Sequence, residues 1–368
     1  MLWLLVLCVA GWAHVPPAAS PASVTAPAGR PGAQAKLART SKERVRYWQK
    51  RLAAAPRLYP AYAQLSRAYL EEARATHDPA FLAKARQAAQ QSMAIQETFE
   101  AFQAMVAIEN YSHRFESALH WAQRAADASS SGSAHLDPSI ASAMVEAHLG
   151  LGQLDEARKL LPPDGERPMH FYTAAALGQW LNAAGQHEEA ARMFLRAAEL
   201  ARAEKAEDLA LWATVASAGA LLDGGNCEAA RPLLRQSAVG GPTAALRIHD
   251  AELASAEHRP ADALAAYEWA LKLDSDPETE RLAFVAAQQA GDAAGAKLHF
   301  AAAERGFRRA IEVGEFYSLG GLAQLYVDAG VHLDLATQLS ERNSRYKRDA
   351  AARKTYAFLH SGAVPASP

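Results

Sequence analysis

The stretch LNAAGQHEEAARMFLRAAEL (181–200) decides the fold. It reads as the end of one helix, a glycine turn, and the start of a second, amphipathic helix opened by Glu188-Glu189-Ala190. Acidic residues in a first turn favour the helix dipole, and the glycine supplies the backbone freedom that a tight stop requires. The same figure returns as HLGLGQLDEARKLL (148–161), LLDGGNCEAARPLLRQSA (221–238) and AEHRPADALAAYEWALKL (256–273).

Working outward, a small residue near the start of each second helix recurs as Ala85, Ala118, Ala157, Ala190, Ala230, Ala263 and Ala296, most often 33 residues apart. Turn glycines keep the beat at Gly152, Gly185, Gly225, Gly291 and Gly330. Four residues after the small one stand Ala89, Ala122, Leu161, Phe194, Leu234, Tyr267 and Phe300. Seven after it stand Ser92, Ala125, Ala197, Ser237, Ala270 and Ala303. Offsets of zero, four and seven share one helix face. A small residue lets two antiparallel helices cross closely, and a larger one four positions on fills the gap to the next pair. No pair buries its apolar face alone, so the pairs must stack.

Composition agrees. Half of the 368 residues are hydrophobic but only 8% are aromatic, and alanine, the best helix former, makes up roughly a quarter of the chain. Strands favour β-branched and aromatic residues, so a sandwich or barrel is excluded. Thirty-eight Lys and Arg against 40 Asp and Glu leave a net charge of −2, which gives no general attraction to nucleic acid.

The pattern resembles the tetratricopeptide repeat family, most clearly in the second half of each unit. Leu177, Gly178 and Leu181 carry its first-helix motif in one repeat, and Leu65, Ser66 and Tyr69 carry it in another, although the family's tryptophan is missing from its place. The resemblance implies an all-α solenoid, a right-handed superhelix of stacked antiparallel helix pairs. Eight pairs are expected, over 57–95, 96–128, 137–161, 168–201, 207–238, 242–275, 278–305 and 315–346, with a leading helix at 41–54 and a half unit at 349–361.

The solenoid thus occupies 41–361. Before it, the apolar run 2–13 (LWLLVLCVAGWA) is shorter than the roughly 20 residues that span a bilayer and reads as a secretory signal in 1–13 or an uncleaved anchor. Residues 14–40 form a Pro/Ala-rich lead expected to be disordered, as is the tail 362–368. Export to a bacterial periplasm or cell envelope follows from that reading. Without Cys8, Cys227 would be the one thiol, with no disulfide or zinc site to make, and is expected to be buried.

In such a solenoid the first helices line the concave face, where family members hold peptides or partner helices. Projecting the register puts Arg67, Gln103, Asn110, Glu146, Tyr172, Gln179, Asn182, Trp212, Glu252, Arg281, Gln288, Tyr317 and Gln324 on that face. Amides and aromatics suit an extended backbone, although Tyr172 and Trp212 also fit a core. The lysines of the family's chaperone-tail clamp are absent. His113 and His120 lack a third ligand, with Phe115 and Ser117 read as a turn between them. No catalytic, metal or cofactor motif stands out. The expected activity is that of a non-catalytic scaffold with a protein or peptide partner. The rivals are an accessory factor for an envelope enzyme or secretion system, an unrecognised enzyme, and a lipid-surface protein recruited through the basic ends at 36–57 and 342–354. Membrane contact is the less favoured of these, and nucleic acid is not expected.

Overall fold

The computed structural model describes residues 40–129, 136–163, 170–238 and 243–361. The leader, most of the Pro/Ala-rich lead and the tail lie outside them. The described residues form helices and turns, without strands. A leading helix, α1 (Ser41–Ala54), opens with a reciprocal cap between Thr40 and Glu43.

Eight antiparallel pairs follow: α2 (Tyr59–Thr76) and α3 (Ala80–Ile95), α4 (Phe99–Tyr111) and α5 (Phe115–Ser129), α6 (Pro138–Gly150) and α7 (Leu154–Lys159), α8 (Phe171–Ala183) and α9 (His187–Ala203). Then come α10 (Glu207–Asp223) and α11 (Cys227–Ser237), α12 (Ala244–Ala256) and α13 (Pro260–Leu273), α14 (Pro277–Ala290) and α15 (Ala293–Glu312), α16 (Ser318–Ala329) and α17 (Leu333–Asn343). A last helix, α18 (Ala350–His360), caps the stack. The fold is an α-solenoid of stacked antiparallel helix pairs.

The register residues sit where the packing argument requires. Ala85, Ala118, Ala157, Ala190, Ala230 and Ala263 are at most 1% exposed, and Ala336 continues the series in α17. Behind them Phe194, Leu234 and Tyr267 are buried too. The first helix answers with small residues of its own: a Cβ at Gly178 would stand 2.9 Å from the Phe194 ring. Ser66 and Ser217 hold the same kind of crossing by donating hydrogen bonds to the carbonyls of Ala85 and Ala191, at 2.8 and 3.0 Å.

Three details differ from the sequence reading. Helix α15 runs seven residues past the expected end at 305, because Phe307 and Ala310 continue its buried stripe. Phe115 and Ser117 lie inside α5 rather than in a turn; the turn is at His113, whose φ is +55°. Cys227 is only half-buried, since it sits at the first position of α11, one turn before the crossing at Ala230.

The coil also returns upon itself. The turn of the first pair meets the connection between the sixth and seventh pairs, with His77 Nε2 2.7 Å from Asp274. Arg86 of α3 reaches Glu315, between α15 and α16, at 3.2 Å. Arg114, opening α5, donates to the Gly314 carbonyl at 2.9 Å. The Arg348 amide, between α17 and α18, donates to the Gly150 carbonyl at 2.7 Å, and its guanidinium meets Glu116 at 2.9 Å. Successive turns of the solenoid are therefore stacked edge to edge along a seam.

Candidate concave-face site

The thirteen projected residues fall on first helices, except Tyr317; four of them bond one another, and several more bond neighbouring side chains outside the set. Arg67 on α2 donates to the Gln103 side chain on α4, and Gln103 donates to Ser139 Oγ on α6 at 2.7 Å. Asn110 donates to the Ala143 carbonyl at 2.9 Å and faces Glu146 at 3.4 Å. Three of these links span 36 residues, so they form a ladder that steps one pair at a time.

Farther along, Asn182 on α8 donates to Asp223 on α10 at 2.7 Å, and His249 and Glu252 pair on α12 at 2.6 Å. At the carboxyl end Arg281 on α14 is clasped by Glu278 at 2.6 Å and Asp328 at 2.5 Å. Gln324 binds Asp328 and accepts from Thr355 on α18, both at 2.7 Å. Gln288 is half-buried on α14.

Burial leaves an electrostatic imprint on this row. It holds the Arg67 guanidinium below its usual pKa, against the opposing pull of Glu100, Tyr172 and Glu71. Burial also raises the Tyr172 phenol, against the opposing pull of Arg67. Burial lowers Arg74 likewise, against Tyr111, Glu146 and Glu71, and Arg74 lies over the Tyr111 ring at 5.4 Å. Burial, reinforced by Glu252, raises Asp223 to about 7, although Asn182 and His249 pull the other way. Burial alone would lower Arg281, but Glu278 and Asp328 hold it above its ordinary value.

The aromatics part company from the rest. Trp212 packs edge-on against Phe171 and Phe194 and is part of the core between pairs, as is much of Tyr172. Tyr317 caps α16 in the seam, against Tyr111 and His113. The sequence projection also passed over Arg74, Ser139, Asp223, His249 and Asp328. Arg74 was within reach: it stands eleven residues before Ala85, as Glu146, Gln179 and Glu252 stand before Ala157, Ala190 and Ala263.

Four polar atoms of the projected set are buried without a hydrogen-bond partner: Asn110 Oδ1, Tyr172 Oη, Gln179 Oε1 and Trp212 Nε1. Among the described residues no cluster of His, Cys, Asp and Glu could hold a metal ion, and no helix is long and apolar enough to cross a membrane. His113 stacks on Phe115 and His120 lies against Trp121.

No protein-family model matches the chain, and no curated protein matches it. Solved structures similar to it include the human IFIT1 dimer with PPP-AAAA, at 12% identity and a TM-score of 0.44, covering 87% of this chain and 75% of that one. A monomeric IFIT1 mutant with m7Gppp-AAAA is similar at 13% identity and a TM-score of 0.43, over 80% and 71% of the two chains. The Cut9-Hcn1 hetero-tetramer of the APC/C is similar at 14% identity and a TM-score of 0.34, over 87% and 67%.

Proposed function

We propose that this chain is a tetratricopeptide-type, non-catalytic scaffold that binds a protein segment along its first-helix row, and that it acts after export, in a cell envelope. The observation that carries the binding reading is the set of unpaired acceptors on that row, Asn110 Oδ1, Tyr172 Oη and Gln179 Oε1. A buried acceptor without a donor costs on the order of 1–3 kcal/mol, and an extended peptide backbone supplies N–H donors in series. The row carries both charge signs and amides rather than a basic stripe, which favours protein over nucleic acid. Export rests on the apolar run 2–13 followed by the Pro/Ala-rich lead.

The test places a photo-crosslinking amino acid at Gln179 or Asn110, and at the outward-facing Lys159 as control, in the protein's own cells. Crosslinks to a protein from the first two positions and none from the third are expected. Crosslinks only from Lys159, or to RNA, would reject the reading. Amino-terminal sequencing of the same sample tests export: a mature chain that begins near His14 is expected.

A further inference from the structure

The seam between successive turns differs in kind from the packing between successive pairs. Pairs are joined by buried alanines and large apolar side chains. The seam is joined by ion pairs, His77 with Asp274, Arg86 with Glu315, Arg309 with Asp78 and Arg348 with Glu116, and by a small set of rings, Tyr317 against Tyr111 and His113. It is also incompletely satisfied, because Glu315 Oε2, Arg114 Nε and Arg348 Nε are buried with no hydrogen-bond partner. Charged contacts that lose water without full compensation contribute little net stability. Each helix pair needs only its neighbours to stay folded, so the seam can part while the stack remains intact. In this closed form the first-helix row is itself covered: Asn110 is only 3% and Gln179 only 6% exposed.

We infer that the seam is an autoinhibitory clasp: while it holds, the first-helix row is closed by its own side chains, and parting of the turns admits a partner. This rests on the reading of that row as the binding surface. The clasp is tested first without any partner. In a chain with Cys8→Ser, Cys227→Ser and Gln179→Cys, the rate of alkylation by a polyethylene glycol maleimide reports access to the row. Glu315→Lys sets a cation against Arg86. It is expected to speed alkylation about tenfold and to enlarge the particle in small-angle X-ray scattering, with helical circular dichroism unchanged.

Arg309→Ala combined with Arg348→Ala removes two more exposed seam contacts and should give a smaller acceleration, about threefold. It decides the matter alone if Glu315→Lys fails to fold. Unchanged alkylation and unchanged dimensions in the folded variants overturn the clasp. A crosslinker at Gln179 in cells then separates the two readings. Higher crosslink yield in the opened variant supports gating. Faster alkylation with equal, substantial yields in both forms overturns gating but leaves the binding reading. Faster alkylation with no crosslinks in either form overturns both gating and binding.

Discussion

Each of the eight turns within a pair has a left-handed residue just after its first helix. Five are glycine, at 152, 185, 225, 291 and 330, and three are histidine, at 77, 113 and 258. A side chain there meets the following carbonyl, at a cost of roughly 1–2 kcal/mol. His77 and His113 have contacts that offset this cost, in the seam and on Phe115. His258 is exposed, so His258→Gly should stabilise the protein by about 1 kcal/mol, read from denaturant unfolding. Gly225 has open space where a Cβ would stand, so Gly225→Ala should cost a similar amount through its φ of +75° alone. Asp223 makes the pH prediction. Burial raises its folded pKa from 3.8 to about 7, so the folded state favours the protonated acid. The resulting stability is full below about pH 4 and is lost as pH rises through 7. Asp223→Asn should match the wild type near pH 4 and exceed it by roughly 2 kcal/mol at pH 8. Melting temperatures across that range check the sign; a variant less stable than wild type at pH 8 would refute it.

At the scale of elements, each expected helix pair has an observed counterpart, with α15 longer and the turn before α5 earlier than expected. The leading helix expected at 41–54 is α1, and the half unit expected at 349–361 is α18. Both ends were legible because apolar residues recurring every three or four positions mark a helix whatever lies beside it. Less legible was what α18 packs against. It buries no side chain fully; Leu359 packs against the core, Thr355 donates to Gln324, His360 meets Glu341 at 3.3 Å, and the neighbouring Arg348 pairs with Glu116. Truncation after Asp349 should therefore leave a folded protein. Amide hydrogen exchange should quicken in α16 and α17, which α18 covers, and stay unchanged in α8 to α11.

For the whole molecule, the seam changes what kind of solenoid this is. An open stack has only neighbour contacts, so its ends fray independently of its middle. Here residues about 200 to 230 positions apart are in contact, which couples the first three pairs to the last three. Urea unfolding is expected to be a single transition in the wild type. Glu315→Lys should split it, or lower the apparent m-value by broadening it, when followed by circular dichroism. An unaltered, equally steep transition in that variant would show that the seam does not couple the two ends.

Periodicity alone accounts for the helix pairs, their crossings at Ala157, Ala190 and Ala230, and the small Gly178 facing Phe194, because each depends on residues close in the chain or one repeat away. That Arg67, Gln103, Asn110 and Gln179 stand at equivalent positions on first helices follows from the same register. Their engagement was hidden, since a polar helix face looks alike whether it meets solvent or the next helix. Trp212 became core for a related reason: aromatic character does not say which neighbour will cover it. The seam belongs wholly to the tertiary structure. Small angular steps accumulate over six pairs before Asp274 arrives at His77, and no local pattern records that sum.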